Sequence, residues 1–237
     1  MHRARRRGII TITMMMSDPI EPPVAGLLHL LAWLSPGFPT GAFACSHGLE
    51  CAIEDGDIGD EASLLLWLED VLRHGSGRTD AILLRHAHRA ARDPARLAEL
   101  AELAAATAPS RERRNETIDL GTAFAAAAAP WSPPDLPPAP PYPIALGALA
   151  GAHGIDPDAV AAAHLQAFAA NLISAAVRLV PLGQSAGLRV LAALEPAIRE
   201  VAAVTCTATL DEIGSAAFRS DLAAMRHETL YTRLFRT

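Results

Sequence analysis

Lysine is absent from this chain. Arginine supplies all 20 fixed positive charges against 26 carboxylates, for a formal net charge of −6. Without a basic field, the chain lacks the electrostatic footprint of a nucleic-acid binder. Cysteine is also scarce: Cys45, Cys51 and Cys206 are too few and too unevenly spaced for a disulfide framework, and no CxxC pair suggests zinc. That usage fits a reducing, cytoplasmic setting. Aromatics make up only 5% of residues and β-branched runs are short, which argues against pleated sheets. No GxxxxGK[ST] loop, GxGxxG turn, GxSxG elbow or HExxH helix occurs. The common nucleotide, hydrolase and metalloprotease devices are therefore missing together, which argues against an enzyme. A membrane span needs roughly 20 largely apolar residues. The nearest candidate, Ala159 to Val177, carries His164, Gln166, Asn171 and Ser174 and reads better as the central helix of a bundle.

What is present is alanine and leucine, which dominate an apolar fraction of 51%. These residues favour close-packed helices, and the length suffices for one core. The expected fold is all-α, a single-domain bundle of about ten helices over residues 24–237. Residues 1–23, with Arg3, Arg5, Arg6 and Arg7 before a threonine-interrupted apolar stretch, read as a disordered leader or a misannotated start.

Leu27, Leu30, Leu31 and Leu34 form a first stripe, which stops at Ser35-Pro36-Gly37-Phe38-Pro39. Helix resumes near Ser46. A second clear helix starts at the N-cap Asp60, presents Leu64, Leu68, Val71 and Leu72, and ends at Gly75 and Gly77. The next spans about Thr79 to Ala91. Asp93-Pro94 and Asp156-Pro157 are further start signals, and Pro109-Ser110 opens a helix with Ile118 and Phe124 inward. Residues 130–143, filled with proline, predict an exposed, extended surface loop. The strongest helical pattern runs to about Leu179. Leu188, Leu191 and Leu194 mark a short successor, and Phe218, Leu222 and Met225 the last helix.

Cys45-Ser46-His47 combines a thiol with an imidazole, but no orienting third group is evident, and a buried structural cysteine is the more ordinary reading. His86 and His88 are two apart and point to nearly opposite helix faces; a partly buried His86 and a solvated His88 are expected. The segment from Arg226 to Thr237 is unusual for a chain end. Leu230, Tyr231, Leu234 and Phe235 interleave with arginines, the residue types that carry energy at interfaces. The tail either folds onto its own domain or meets a partner, and both hold if the partner orders it.

Three segments resemble the urease accessory protein F family (UreF). The first runs from Ser35 through Phe38, Pro39, Gly41 and Phe43 into Ser46-His47-Gly48-Leu49-Glu50; the second is Arg178-Leu179-Val180-Pro181-Leu182-Gly183-Gln184; the third is the tail, His227 to Phe235. They occur in the family's order and spacing over nearly the whole chain after about Leu27. Two departures stand out: Cys45 replaces a common aromatic, and Leu188 a frequent glutamine. The resemblance implies an all-α, dimerising scaffold with no catalytic residues and no cofactor of its own. It implies partnership with a UreD/UreH-type accessory protein and the GTPase UreG, and delivery of nickel, which transits the complex, to apo-urease. It also implies that the tail, through His227, Glu228, Leu230, Tyr231, Arg233, Leu234 and Phe235, orders on the UreD/UreH-type partner. Arg178, Pro181, Gly183 and Gln184 would lie where dimer and UreG contacts are organised. Two competing readings are an enzyme using Cys45 and His47, and a nickel carrier with its own tight histidine site.

Overall fold

Side-chain caps set the starts of four of the five longest helices. Asp60 accepts from the Ser63 amide at 2.8 Å while the Ser63 hydroxyl returns to the Asp60 amide, a reciprocal capping box. Asp93 and Asp156 cap the following helices just ahead of Pro94 and Pro157, and Ser110 accepts from the Arg113 amide at 3.1 Å. Each satisfies amides that the first helical turn leaves without partners.

The computed structural model describes residues 23–237. Among these it forms eleven α-helices and no strand: α1 Pro23–Trp33, α2 Leu49–Glu54, α3 Glu61–His74, α4 Ser76–Arg89, α5 Pro94–Ala106, α6 Arg111–Ala127, α7 Tyr142–Ala152, α8 Pro157–Leu179, α9 Gly183–Ala193, α10 Glu195–Val204 and α11 Phe218–His227. The all-α expectation is met. Residues 1–22 of the expected leader lie outside the described residues, and its last residue, Pro23, begins α1.

Helix α8 runs through the middle of the bundle against α2, α3, α4, α7, α9 and α10. It is the one described helix long and apolar enough to cross a membrane, yet Val160, Leu165, Ala169, Leu172 and Ala176 bury it in the protein core. The tightest crossing is α4 on α7. A Cβ on Gly147 would fall 2.2 Å from the Leu84 carbonyl oxygen, and one on Gly151 2.2 Å from that of His88. Only glycine permits backbones this close.

In three helices the apolar stripe lies partly or wholly on the outer side. In α1, Leu30 and Trp33 are buried while Leu27 and Leu31 are exposed; Trp33 anchors the helix by packing edge-on to Phe124 and Trp131. In α9, Leu188 faces out while Ala186, Gly187, Val190 and the following Leu194 face in. In α11, Phe218, Leu222 and Met225 all face out, and Ser220, Ala223, Ala224 and His227 face in. Small residues win the inner side because they allow closer approach: a Cβ on Gly48 would lie 2.6 Å from the Ala224 amide nitrogen.

Other boundaries also differ from expectation. α4 begins at Ser76, so Gly77 lies inside it, pressed against Leu72, and terminates nothing. The proline-rich stretch is not a free surface loop. Trp131 and Leu136 pack on the core, and the Pro140 carbonyl sits against Gly121 of α6, where a Cβ would be 2.0 Å away. His88 is half-buried and not solvated, with its Nε2 2.7 Å from the Ile155 carbonyl oxygen.

Candidate partner-docking site

The tail folds down between α2, α6 and α8, and the Ser46–Glu50 segment receives it. Gly48 (φ +78°) turns the chain into α2 and lies against the α11 backbone, which fixes Glu50 beside His227 and the tail. The Glu50 carboxylate accepts from two successive tail amides, Leu234 N–H at 2.7 Å and Phe235 N–H at 3.0 Å. His227, fully buried, is flanked by carboxylates: Nδ1 is 2.7 Å from Glu112 and Nε2 3.3 Å from Glu50. Arg233 reaches the other oxygen of Glu112 at 2.6 Å. Glu228 accepts from the Arg111 amide at 2.8 Å, at the N-terminus of α6, where the helix dipole favours a carboxylate.

Deeper in, the last residues pair with the loop before α2. The Arg236 amide donates to the Ala44 carbonyl and the Ser46 amide to the Thr237 carbonyl, both at 2.8 Å, and the Ser46 hydroxyl adds a third bond at 2.6 Å. The Thr237 hydroxyl donates to Glu116, which is also paired with Arg113 and lies 3.3 Å from His47 Nδ1. Burial alone would push the Glu116 carboxyl up, but the Arg113 guanidinium and His47 together hold it well below the usual carboxylate range. Burial, reinforced by Arg113, pulls His47 down to about 4, so its ring is neutral at pH 7.

Arg178 joins the second sequence segment to the other two. Its guanidinium donates to the Phe43 carbonyl at 2.9 Å and lies over the Phe235 ring, 4.5 Å from the centroid, a cation–π contact. Three segments far apart in sequence thus converge through Phe43, Glu50, Arg178 and Phe235. Pro181, Gly183 and Gln184 instead lie exposed around the start of α9. Tail side chains divide by face. Phe235 is 5% exposed, while Leu234 is 77% exposed and Tyr231 projects fully into solvent. Leu230 is half-buried, and Phe38 packs with Phe124 and Trp131 behind the Pro39–Gly41 turn.

The arrangement does not activate a thiol. Burial, with Glu116 nearby, pushes Cys45 up to about 12, and both His47 nitrogens are engaged, one by Glu116 and the other by the Ser76 hydroxyl at 2.6 Å. A nucleophilic Cys45–His47 pair therefore lacks both thiolate and free base. Among the described residues, no group of three His, Cys, Asp or Glu side chains is arranged to hold a metal ion. A cavity of about 270 Å³ lies behind His47, lined by Asp80, Arg113, Tyr142 and His164, and is roomy and polar enough for water. Burial raises the Asp80 carboxyl to about 7 and lowers His164 to about 4.

Glu112, Arg113 and Glu116 carry much of this network, and sequence reasoning missed them. Their signal was present: two carboxylates four residues apart below a serine cap share one helix face. Within an arginine-rich run, that pattern passes for a solvated surface.

Residues 58–195, more than half of the chain, match the UreF family. The chain belongs to that family. A protein named urease accessory protein UreF from Cereibacter sphaeroides (strain KD131 / KCTC 12085) is 58% identical over 213 residues, 90% of this chain and 99% of the relative. Another of that name from Xanthobacter autotrophicus (strain ATCC BAA-1158 / Py2) is 52% identical over 227 residues, 92% of this chain and 93% of its own. A third, from Methylobacterium radiotolerans (strain ATCC 27329 / DSM 1819 / JCM 2831 / NBRC 15690 / NCIMB 10815 / 0-1), is 49% identical over 228 residues, 91% of this chain and all of the relative. As a UreF protein the chain is a urease accessory protein, and the converging segments are the ones that carried the resemblance.

Proposed function

We propose that this UreF protein is a non-enzymatic scaffold in urease maturation. In this reading it works as a homodimer in the cytoplasm, holds a UreD/UreH-type accessory protein through its tail and α11, and recruits the GTPase UreG. The assembly then passes nickel, as cargo, to apo-urease. One observation carries the reading: apolar side chains that a lone domain would bury are turned outward together on α11 and the tail, at Phe218, Leu222, Met225, Tyr231 and Leu234. Apolar surface rimmed by arginines is the chemistry of a protein-docking face. The exposed turn with Pro181, Gly183 and Gln184 is the second contact region, assigned to the dimer and UreG.

The test is reconstituted activation of apo-urease with the accessory proteins, nickel and bicarbonate. Full-length protein is expected to support activation and to pull down the UreD/UreH-type partner, and deletion of Leu230 to Thr237 to abolish both. Normal activation by the deleted protein refutes the tail's role, and normal activation without any of this protein refutes the scaffold.

A further inference from the structure

We propose that Glu50 is the positioning residue that folds the tail into its partner-competent form. This rests on the reading above that the tail is a docking element. Two consecutive backbone amides, those of Leu234 and Phe235, converge on the two oxygens of one carboxylate. The chain bends at Leu234 and Phe235, and burial alternates along the end of the tail: Leu234 and Arg236 are exposed, Phe235 and Thr237 buried. Fixing both amides therefore fixes which of the two side chains enters the protein. Phe235 goes in, beneath Arg178, and Leu234 goes out, on the same tail as the fully exposed Tyr231. A tail slipped by one residue would turn Leu234 inward and Phe235 outward.

The clamp is rigid because its base is rigid. Glu50 itself is nearly buried, flanked in α2 by buried Leu49, Cys51 and Ala52, and Gly48, the N-cap of α2, is seated against the α11 backbone. His227 closes the third side of the carboxylate. Hydrogen bonds to an ionised acceptor are stronger than neutral ones, and a nearly buried carboxylate left without them is costly. The Ser46–Glu50 motif thus serves as a template for a distant segment, with Phe235 lying 185 residues beyond Glu50.

Glu50→Gln, made in the full chain, is isosteric but replaces one acceptor oxygen with a donor, so one tail amide meets an N–H instead of an oxygen. Hydrogen exchange at Leu234 and Phe235 and affinity for the UreD/UreH-type partner are measured for wild type, Glu50→Gln and the Leu230–Thr237 deletion. The expected result is exchange at those two amides faster by about tenfold or more, and partner affinity weaker by about tenfold, with the helical signal unchanged. Unchanged exchange overturns the clamp. Faster exchange with unchanged affinity, when the deletion abolishes binding, overturns its role in docking, because the partner then orders the tail by itself. If the deletion also binds normally, the proposed docking role of the tail has failed, and with it the link from clamp to partner. Should Glu50→Gln fold poorly, Glu50→Asp, which keeps the charge but withdraws it by one methylene, is expected to give the same pattern, and a wild-type pattern there overturns the proposal.

Discussion

Gly48 and Gly56 provide a matched pair for weighing the α2–α11 junction. Both are left-handed, at φ +78° and +81°, but a Cβ on Gly48 would lie 2.6 Å from the Ala224 nitrogen and 2.8 Å from its Cα, whereas one on Gly56 meets open space. Left-handed backbone costs a non-glycine residue about 1–2 kcal/mol, so Gly56→Ala should destabilise by about that much. Gly48→Ala carries the same term plus the overpacking of one methyl against backbone, typically about 1–3 kcal/mol, for a total of about 2–5 kcal/mol. Backbone cannot rotate away as a side chain can, so relief requires α11 to shift off α2. Since α11 ends in His227 and leads directly into the tail, that shift should also loosen the clamp at Glu50. Urea unfolding followed by both circular dichroism and tryptophan fluorescence measures the two variants, with coincident transitions required before the midpoints are converted to free energies. Equal destabilisation of the two variants refutes the close approach of α2 to α11 and the account of the site built on it.

Other outcomes follow from the buried charges. Asp80, raised by burial to about 7, contributes stability fully present below the ordinary aspartate value of 3.8 and lost as the pH rises through 7. Asp80→Asn should therefore leave stability near wild type at pH 4 and raise it by about 1–3 kcal/mol at pH 8; an equal effect at both pH values is the wrong result. Cys45, pushed up to about 12, should react with a maleimide far more slowly than free cysteine at pH 7.5, while exposed Cys206 reacts first; a fast Cys45 would restore the enzymatic reading. Arg85 is 2% exposed and donates to the Ala202 carbonyl at 2.7 Å, but its ion-pair partner Asp158 is 65% exposed. Arg85→Ala should thus cost about 2–4 kcal/mol in urea unfolding and Asp158→Asn less than about 1 kcal/mol, and comparable losses would show the ion pair to be the dominant contact.

The helices themselves were legible because their determinants are local. Asp60, Asp93, Ser110 and Asp156 each satisfy amides within a few residues, so a single sequence carries the instruction. Which side of a helix faces inward is not local. Leu27 and Leu31 of α1, Leu188 of α9 and the Phe218–Leu222–Met225 stripe of α11 follow helical spacing faithfully, yet all face outward. Periodicity locates an apolar stripe, but an alanine–glycine face buries its backbone more closely and can take the inner position. The same limit hid Glu112 and Glu116, whose partners His47, His227, Arg233 and Thr237 come from distant parts of the chain, and with them Arg113, which pairs with Glu116.

That failure of periodicity bears on function. An alanine-rich protein can close its core with small residues and leave larger apolar side chains over, and those left over cluster on particular elements. Water penalises such surface unless something covers it. On the tail the two roles are divided residue by residue: Phe235 and Thr237 hold the segment down, while Tyr231 and Leu234 face out. A tail held only by apolar contacts could slide, because the hydrophobic effect has no direction. Hydrogen bonds from two adjacent amides to one carboxylate do have direction, which is why a buried glutamate, and not another leucine, suits the position that sets the register.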